Sequence, residues 1–228
     1  MGAKLRSVGP PSGARISYDV SRLTLLPGLI DTHVHIANHF GRNGRATSEG
    51  EGPEESILYE AESAYSMLLN GFTTAQSIGS RLDVPLRAAI SRGVLPGPRL
   101  LTSIAPINET TGTPDQIMGT DAGAGAHGQN AREIVYRVQT GGQSAMEAIT
   151  GATSLAAEAL GLKETIGAIA PGFEGDLIGV DGDPLTDITA LRRVVFAMKG
   201  GKEHEFRVER PRSHESTGRR LCQSVACS

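Results

Sequence analysis

The chain has 228 residues, a formal net charge of -3 and an isoelectric point near 6.1; it is long enough to bury a core in one large domain or two small ones. Lysine and arginine are scattered, with no basic stripe interleaved with aromatics, which argues against nucleic-acid partners. With 29 glycines and no tryptophan the composition suits a loop-rich enzyme more than a coiled coil or a disordered chain, and no apolar run approaches the roughly 20 residues that span a bilayer. Met1 to Arg6 lead into no signal-peptide core, so a cytoplasmic chain without membrane partners is expected.

Residues 1–24 carry short alternating pieces, Ala14 to Val20 among them, broken by Gly9-Pro10-Pro11-Ser12-Gly13, a pattern of small strands and tight turns. An apolar run then leads through Asp31 and Thr32 into His33-Val34-His35. On a strand, positions i and i+2 project to one face, so both imidazoles can reach one ion. By itself the spacing fits a metal site and a pair of incidental strand histidines equally. A polar, glycine-rich loop follows over 38–52. Pro53-Glu54-Glu55 then opens a helix in which Ile57, Ala61, Ala64, Tyr65 and Leu68 recur at helical spacing until Asn70-Gly71 stops it. Phe72 to Ile78 reads as a strand, Asp83 to Arg92 as a helix and Arg99 to Ile104 as a strand. That alternation belongs to a parallel βα fold. Thr113-Pro114 is a helix start, yet no helix follows, and within a few residues the chain reads Gly119-Thr120-Asp121-Ala122-Gly123. Here Asp121 is by itself a turn-forming aspartate beside glycine, and Gly119, Gly123 and Gly125 allow a tight bend. Residues 130–139 are expected to be helical, and 144–160 to form one longer helix with Met146, Ile149, Ala152, Leu155 and Ala156 on its buried side, capped by Gly161. The only cysteines, Cys222 and Cys227, are close to each other in the last seven residues and read as reduced and incidental.

Several of these stretches together resemble one family. Leu25-Leu26-Pro27-Gly28-Leu29-Ile30-Asp31-Thr32-His33-Val34-His35 is similar to the first barrel strand of the amidohydrolase superfamily, and GTDAG around Asp121 to the end of its eighth. The pieces GFTT, RAAI, PGPRLLTS and PINETTGTP resemble the imidazolonepropionase-like, Xaa-Pro dipeptidase-like branch. Residues 166–185 and 194–201 resemble the closing stretch, where the chain leaves the barrel and completes a small β-sandwich. The resemblance implies an α/β chain of the metal-dependent hydrolase (β/α)8 TIM-barrel type with a composite β-sandwich from both termini. It implies four parts: 1–24 in the sandwich, 25–162 in the barrel, 163–202 in the sandwich again, and a disordered tail over 203–228. A whole barrel takes roughly 250 residues, whereas fewer than 140 lie between Leu25 and Leu162. A helix start also runs straight into a strand end at about Ile117/Met118, so the barrel is expected to be incomplete, with a block of its middle strands removed there.

Carried over residue by residue, the resemblance makes His33, His35 and Asp121 ligands of a divalent ion, zinc by preference, with one ion or two in the complete family site. It gives Asp121 a second role as the proton shuttle, and makes His127 a candidate substrate contact, with a loop histidine as the plainer account. His39 is read as facing either the mouth of the site or, more plainly, solvent. The family's bridging lysine and mid-barrel histidines have no counterpart, since no lysine lies between His35 and Lys163 and no histidine between His39 and His127. Two functions follow as expectations. One is hydrolysis of carbon–nitrogen bonds in small amides, cyclic amides or dipeptides; the other is an inactive shortened amidohydrolase with at most metal binding. Unpaired strand edges of an incomplete barrel also make a homo-oligomer an expected partner state.

Overall fold

The computed structural model describes residues 2–9, 17–40, 46, 50–103, 119–123, 127–206 and 224–227. The helix start at Thr113, the excision point at Ile117/Met118, Gly125 and Cys222 lie outside them. So do residues 14–16, while 17–20 form no strand. Among the described residues there are three sheets. A parallel one has the order β3-β4-β5, from β3 (Leu29–Val34), β4 (Phe72–Ile78) and β5 (Arg99–Ser103). An antiparallel one has the order β2-β6-β7-β8, from β2 (Thr24–Pro27), β6 (Leu177–Val180), β7 (Val194–Lys199) and β8 (Lys202–Phe206). A small pair joins β1 (Leu5–Gly9) to β9 (Ser224–Cys227). Within the range expected as a tail, residues 203–206 therefore belong to β8 and 224–227 to β9. The helices are α1 (Pro53–Leu69), α2 (Asp83–Ser91), α3 (Ala131–Gln139), α4 (Ala145–Gly151) and α5 (Ser154–Ala159), and none is long and apolar enough to cross a membrane.

The run Leu25 to Ile30, which reads as one strand, is two. Its first half pairs antiparallel with β6, Leu26 opposite Ile178, and its second half pairs parallel with β4, Ile30 opposite Thr74. Between them Gly28 brings its backbone so close to Thr73 that a Cβ would overlap that side chain. The chain thereby passes from one sheet to the next with no loop, and both sheets share one core that includes Leu29, Met67, Phe72, Ile178 and Leu191.

β3, α1, β4, α2 and β5 form two successive βαβ units, the packing in which parallel strands are covered by their own crossover helices. Among the described residues the parallel sheet does not close into a barrel: β5 ends the ladder on one side, and on the other a single parallel bridge joins Val34 to Ala122. The helical stripe of α1 that packs inward is Glu60, Ser63, Ala64, Met67 and Leu68, whereas Tyr65, expected there, is exposed. The spacing is that of a buried face, but its first member is a carboxylate.

The expected helix over 144–160 breaks into α4 and α5. Ser144 and Glu147 form a capping box at the start of α4, and Ala152 then turns its carbonyl out to accept from the Ile30 amide at 2.9 Å. The carbonyl supplies a partner to a buried amide of β3 and is lost to the helix. The faces shift with the break, so Ala148, Ile149, Ala152, Ala156 and Ala157 are buried while Met146 is exposed. Phe72 is fully buried at the start of β4. Its replacement by alanine is expected to destabilise the chain by about 3–5 kcal/mol, read as a lower denaturant midpoint in urea unfolding.

Candidate metal centre

His33 and Val34 end β3 and His35 follows it, at the carboxyl end of the parallel strands, where α/β sheets carry their sites. The segment 119–123 lies along the open edge of β3. Asp121 N–H donates to the His33 carbonyl and His35 N–H to the Ala122 carbonyl, both at 2.8 Å. Asp121 has φ +52°, a left-handed conformation that aspartate tolerates better than most residues. The bend thus falls on Asp121 itself. Gly119 and Gly123 keep negative φ; the need for glycine at 119 is the close approach to β3, where a Cβ would lie 3.1 Å from that of His33.

These backbone contacts bring three side chains together. His33 Nε2 lies 3.3 Å and His35 Nε2 3.0 Å from Asp121 Oδ1, and one ligand atom from each of the three lies within 4.8 Å of the others. The His35 ring is fixed from behind. Its Nδ1 is 2.8 Å from the Ile78 carbonyl, which only accepts, so Nδ1 carries a proton and Nε2 is the ring atom turned to the carboxylate. Bonds of about 2.0–2.1 Å from nitrogen and oxygen to zinc at tetrahedral angles imply ligand atoms roughly 3.3 Å apart, so the donor set fits a divalent ion. The back-bonded imidazole is also the arrangement that orients metal-bound histidines. The cluster is open, with His33 46%, His35 30% and Asp121 73% exposed at the side chain.

Beneath it is a group that sequence reasoning missed. Asp31, fully buried, is two residues before His33 on the same strand face. Its Oδ1 accepts from the amides of Thr120 (3.1 Å) and His33 (3.2 Å), and its Oδ2 from Thr120 Oγ1 (2.6 Å) and Asn130 Nδ2 (2.7 Å). Thr120 Oγ1 in turn accepts from the Ala122 amide at 3.1 Å. Burial pushes the Asp31 carboxyl above its ordinary range, and the four donors pull it back. This carboxylate ties β3, the Asp121 segment and the start of α3 into one unit. The available signal was an acidic residue at an inward position of an apolar strand.

His39 is buried, contrary to its plainer reading as exposed. Its Nδ1 donates to the Ala37 carbonyl at 2.9 Å, its Nε2 meets Glu51 Oε2 at 2.7 Å, and its ring stacks on Tyr59 at 4.1 Å. The pair holds together the two ends of the loop between β3 and α1. His127 is not part of the convergent group. Its Nε2 donates to the Asn38 carbonyl at 3.2 Å, and its Nδ1 is buried without a hydrogen-bond partner among the described residues. Burial lowers its pKa against the opposing carbonyls of Asn38 and His35. A second acidic pair, Glu60 and Asp83, is fully buried beside the end of β4. Glu60 Oε1 accepts from Ser80 Oγ at 2.9 Å, and burial raises its pKa to about 7, with Ser80 opposing and Asp83 adding to the rise.

A model of the Amidohydrolase family matches residues 24–116 and 103–203. Ochratoxinase from Aspergillus niger is 35% identical over 89 residues, which are 37% of this chain and 18% of that protein. The chain thus matches less than a fifth of that relative's length. A Xaa-Pro dipeptidase solved with methionine in its active site superposes with a TM-score of 0.71 at 18% identity, covering 81% of this chain and 87% of that one. A prolidase solved with N-methylphosphonate-L-proline gives 0.72 at 16% identity, covering 91% and 94%. At these identities the likeness is one of fold.

Replacing Asp31 with alanine removes the acceptor of the Thr120 amide and hydroxyl and leaves Asn130 Nδ2 only its longer contact to Thr120 Oγ1, and an expected loss of about 3 kcal/mol follows, measurable by chemical unfolding. For Glu60 the sign is opposite to that of a surface carboxylate. Both states are protonated below 4.5; as pH rises to about 7 the unfolded chain ionises first, so folding stability falls. Wild type should therefore lose up to roughly 3 kcal/mol between pH 5 and pH 8 that Glu60→Gln does not. Identical pH profiles for the two would refute the buried-acid assignment.

Proposed function

The chain belongs to the amidohydrolase family, and from that premise we propose that it is a metal-dependent hydrolase of carbon–nitrogen bonds in small amides or dipeptides. His33, His35 and Asp121 would hold the ion, zinc by preference. The supporting observation is the convergence of two imidazole nitrogens on one carboxylate oxygen, with the tautomer of His35 held by the Ile78 carbonyl. Three protein ligands with an open position match a catalytic rather than a closed structural zinc site.

A divalent ion bound there supplies Lewis acidity, polarising a carbonyl and lowering the pKa of water. The remaining work falls to the chain. His33 at the end of β3 and His35 just past it present their Nε2 atoms on one side. Asp121, anchored at its amide by His33 and exposed at its carboxylate, takes a proton from the attacking water and returns it to the leaving nitrogen. Exposure of the cluster leaves room for a substrate amide to approach. The substrate class proposed here follows the likeness to a Xaa-Pro dipeptidase, a prolidase and ochratoxinase.

A second reading, metal binding without turnover, is favoured by one observation. Among the described residues only three side chains group for a metal, and the carboxylate is 73% exposed, so water is poorly excluded. Zinc titration of the purified chain separates both readings from neither. About one ion per chain, abolished in His33→Ala/His35→Ala, is expected. Turnover then separates the two: hydrolysis of N-acyl amides and Xaa-Pro dipeptides should fall roughly 100-fold or more in Asp121→Asn with an unchanged circular dichroism spectrum, and wild type with bound zinc but no hydrolysis would leave metal binding alone.

A further inference from the structure

At the opposite end of the parallel sheet from the histidines, where Arg99 opens β5, a cavity of about 570 Å³ lies between the last turn of α2 and the β7–β8 hairpin. Five cationic side chains line it: Arg87, Arg92, Arg99, Lys199 and Lys202. The whole chain is net acidic at -3, so this concentration of positive charge is local. Two carboxylates face the same guanidinium: Asp176 Oδ2 lies 2.8 Å from Arg99 Nη1, and Glu174, itself part of the lining, has Oε2 3.8 Å from Arg99 Nη2 and otherwise buried without a hydrogen-bond partner among the described residues. Among the described residues the other four cations form no ion pair. Arg87 Nη1 donates to Thr102 Oγ1 at 3.0 Å, and Lys199 Nζ to the Gly97 carbonyl at 2.8 Å.

Like charges held around a shared space repel one another, and an anion placed among them relieves that repulsion. We propose that this cavity binds a small ligand bearing at least two phosphoryl groups. Planar guanidinium forks and ammonium point charges are the residues that recognise phosphoryl oxygens. Ile90, Leu95 and Leu100 supply an apolar wall, and the volume is that of a small-molecule site, too large for a lone phosphate. The backbone amides of Arg92 and Gly93 already satisfy carbonyls of α2, on Ala88 and Ile90, so the helix end adds little free negative charge. Lys199 bears the strain of the site. Burial first, then Arg99 and Lys202, lower its pKa to about 8 against the pull of Asp176, and a bound anion would raise it again.

The inference stands apart from the metal centre, and its test reads neither zinc nor turnover. Calorimetric titration of the full chain with pyrophosphate at low ionic strength should show saturable binding to one site that weakens as salt is added. Arg92→Glu/Lys202→Glu, two exposed positions, should weaken it roughly tenfold or more with the unfolding midpoint unchanged. Should that pair fail to fold, Arg92→Ala/Lys202→Ala is expected to weaken binding in the same direction. Absence of saturable binding, equal affinity in a folded variant, or citrate bound as tightly as pyrophosphate would each overturn the assignment.

Discussion

One buried carboxylate connects the parts on which the candidate centre depends. Asp31 accepts from the segment 89 residues further along the chain and from Asn130 at the start of α3, and it does so directly beneath the two histidines. A charge in this position is costly unless every lone pair has a donor. Four donors are present, two from the strand-edge backbone and two from side chains. The clasp makes the Thr120–Ala122 stretch follow β3, and the two backbone hydrogen bonds at 2.8 Å then set Asp121 opposite both imidazoles.

The same edge explains why the centre is exposed. In a closed ring each strand has neighbours on both sides and the site lies at the bottom of a mouth lined by all the loops. Among the described residues the parallel sheet has three strands and one bridge, and the three side chains face water along one flank. Electrostatic interactions there are screened, and a divalent ion gains less from the carboxylate than in a closed site. The geometry of the donors survives because it is held locally, by the Ile78 carbonyl behind His35 and by Asp31 below, and does not need the missing neighbours.

Burial of acids is a recurring device of this chain. Glu60 opens the buried stripe of α1, Asp83 the first turn of α2, and Glu51 pairs with His39 across the loop that leaves β3. All lie around the carboxyl end of the parallel strands. At the other end the charge is reversed, with Arg99 and Lys199 prominent between the two sheets. The chain thus presents opposite electrostatic characters at the two ends of one small sheet, against a net charge of -3.

Much of this was legible in the amino-acid order, and the part that was not has a common cause. The helices at 53–69, 83–91 and 131–139 and the strands at 72–78 and 99–103 follow from local periodicity, caps and stops, which act over a few residues. The likeness around His33, His35 and Asp121 likewise marked the candidate ligands, because strand alternation alone puts the two histidines on one face. Tertiary contacts decided the rest. Whether Asp121 reaches those histidines depends on edge pairing and on Asp31, and neither is visible in a window of sequence. The break at Ala152, the passage between sheets at Gly28, the burial of His39 and Glu60 and the cationic cavity each depend on residues far apart in the chain. Local pattern sets which face a side chain occupies; only packing determines what lies opposite, and that opposite group decides whether a carboxylate or an imidazole is a solvated surface group, a clasp or a ligand.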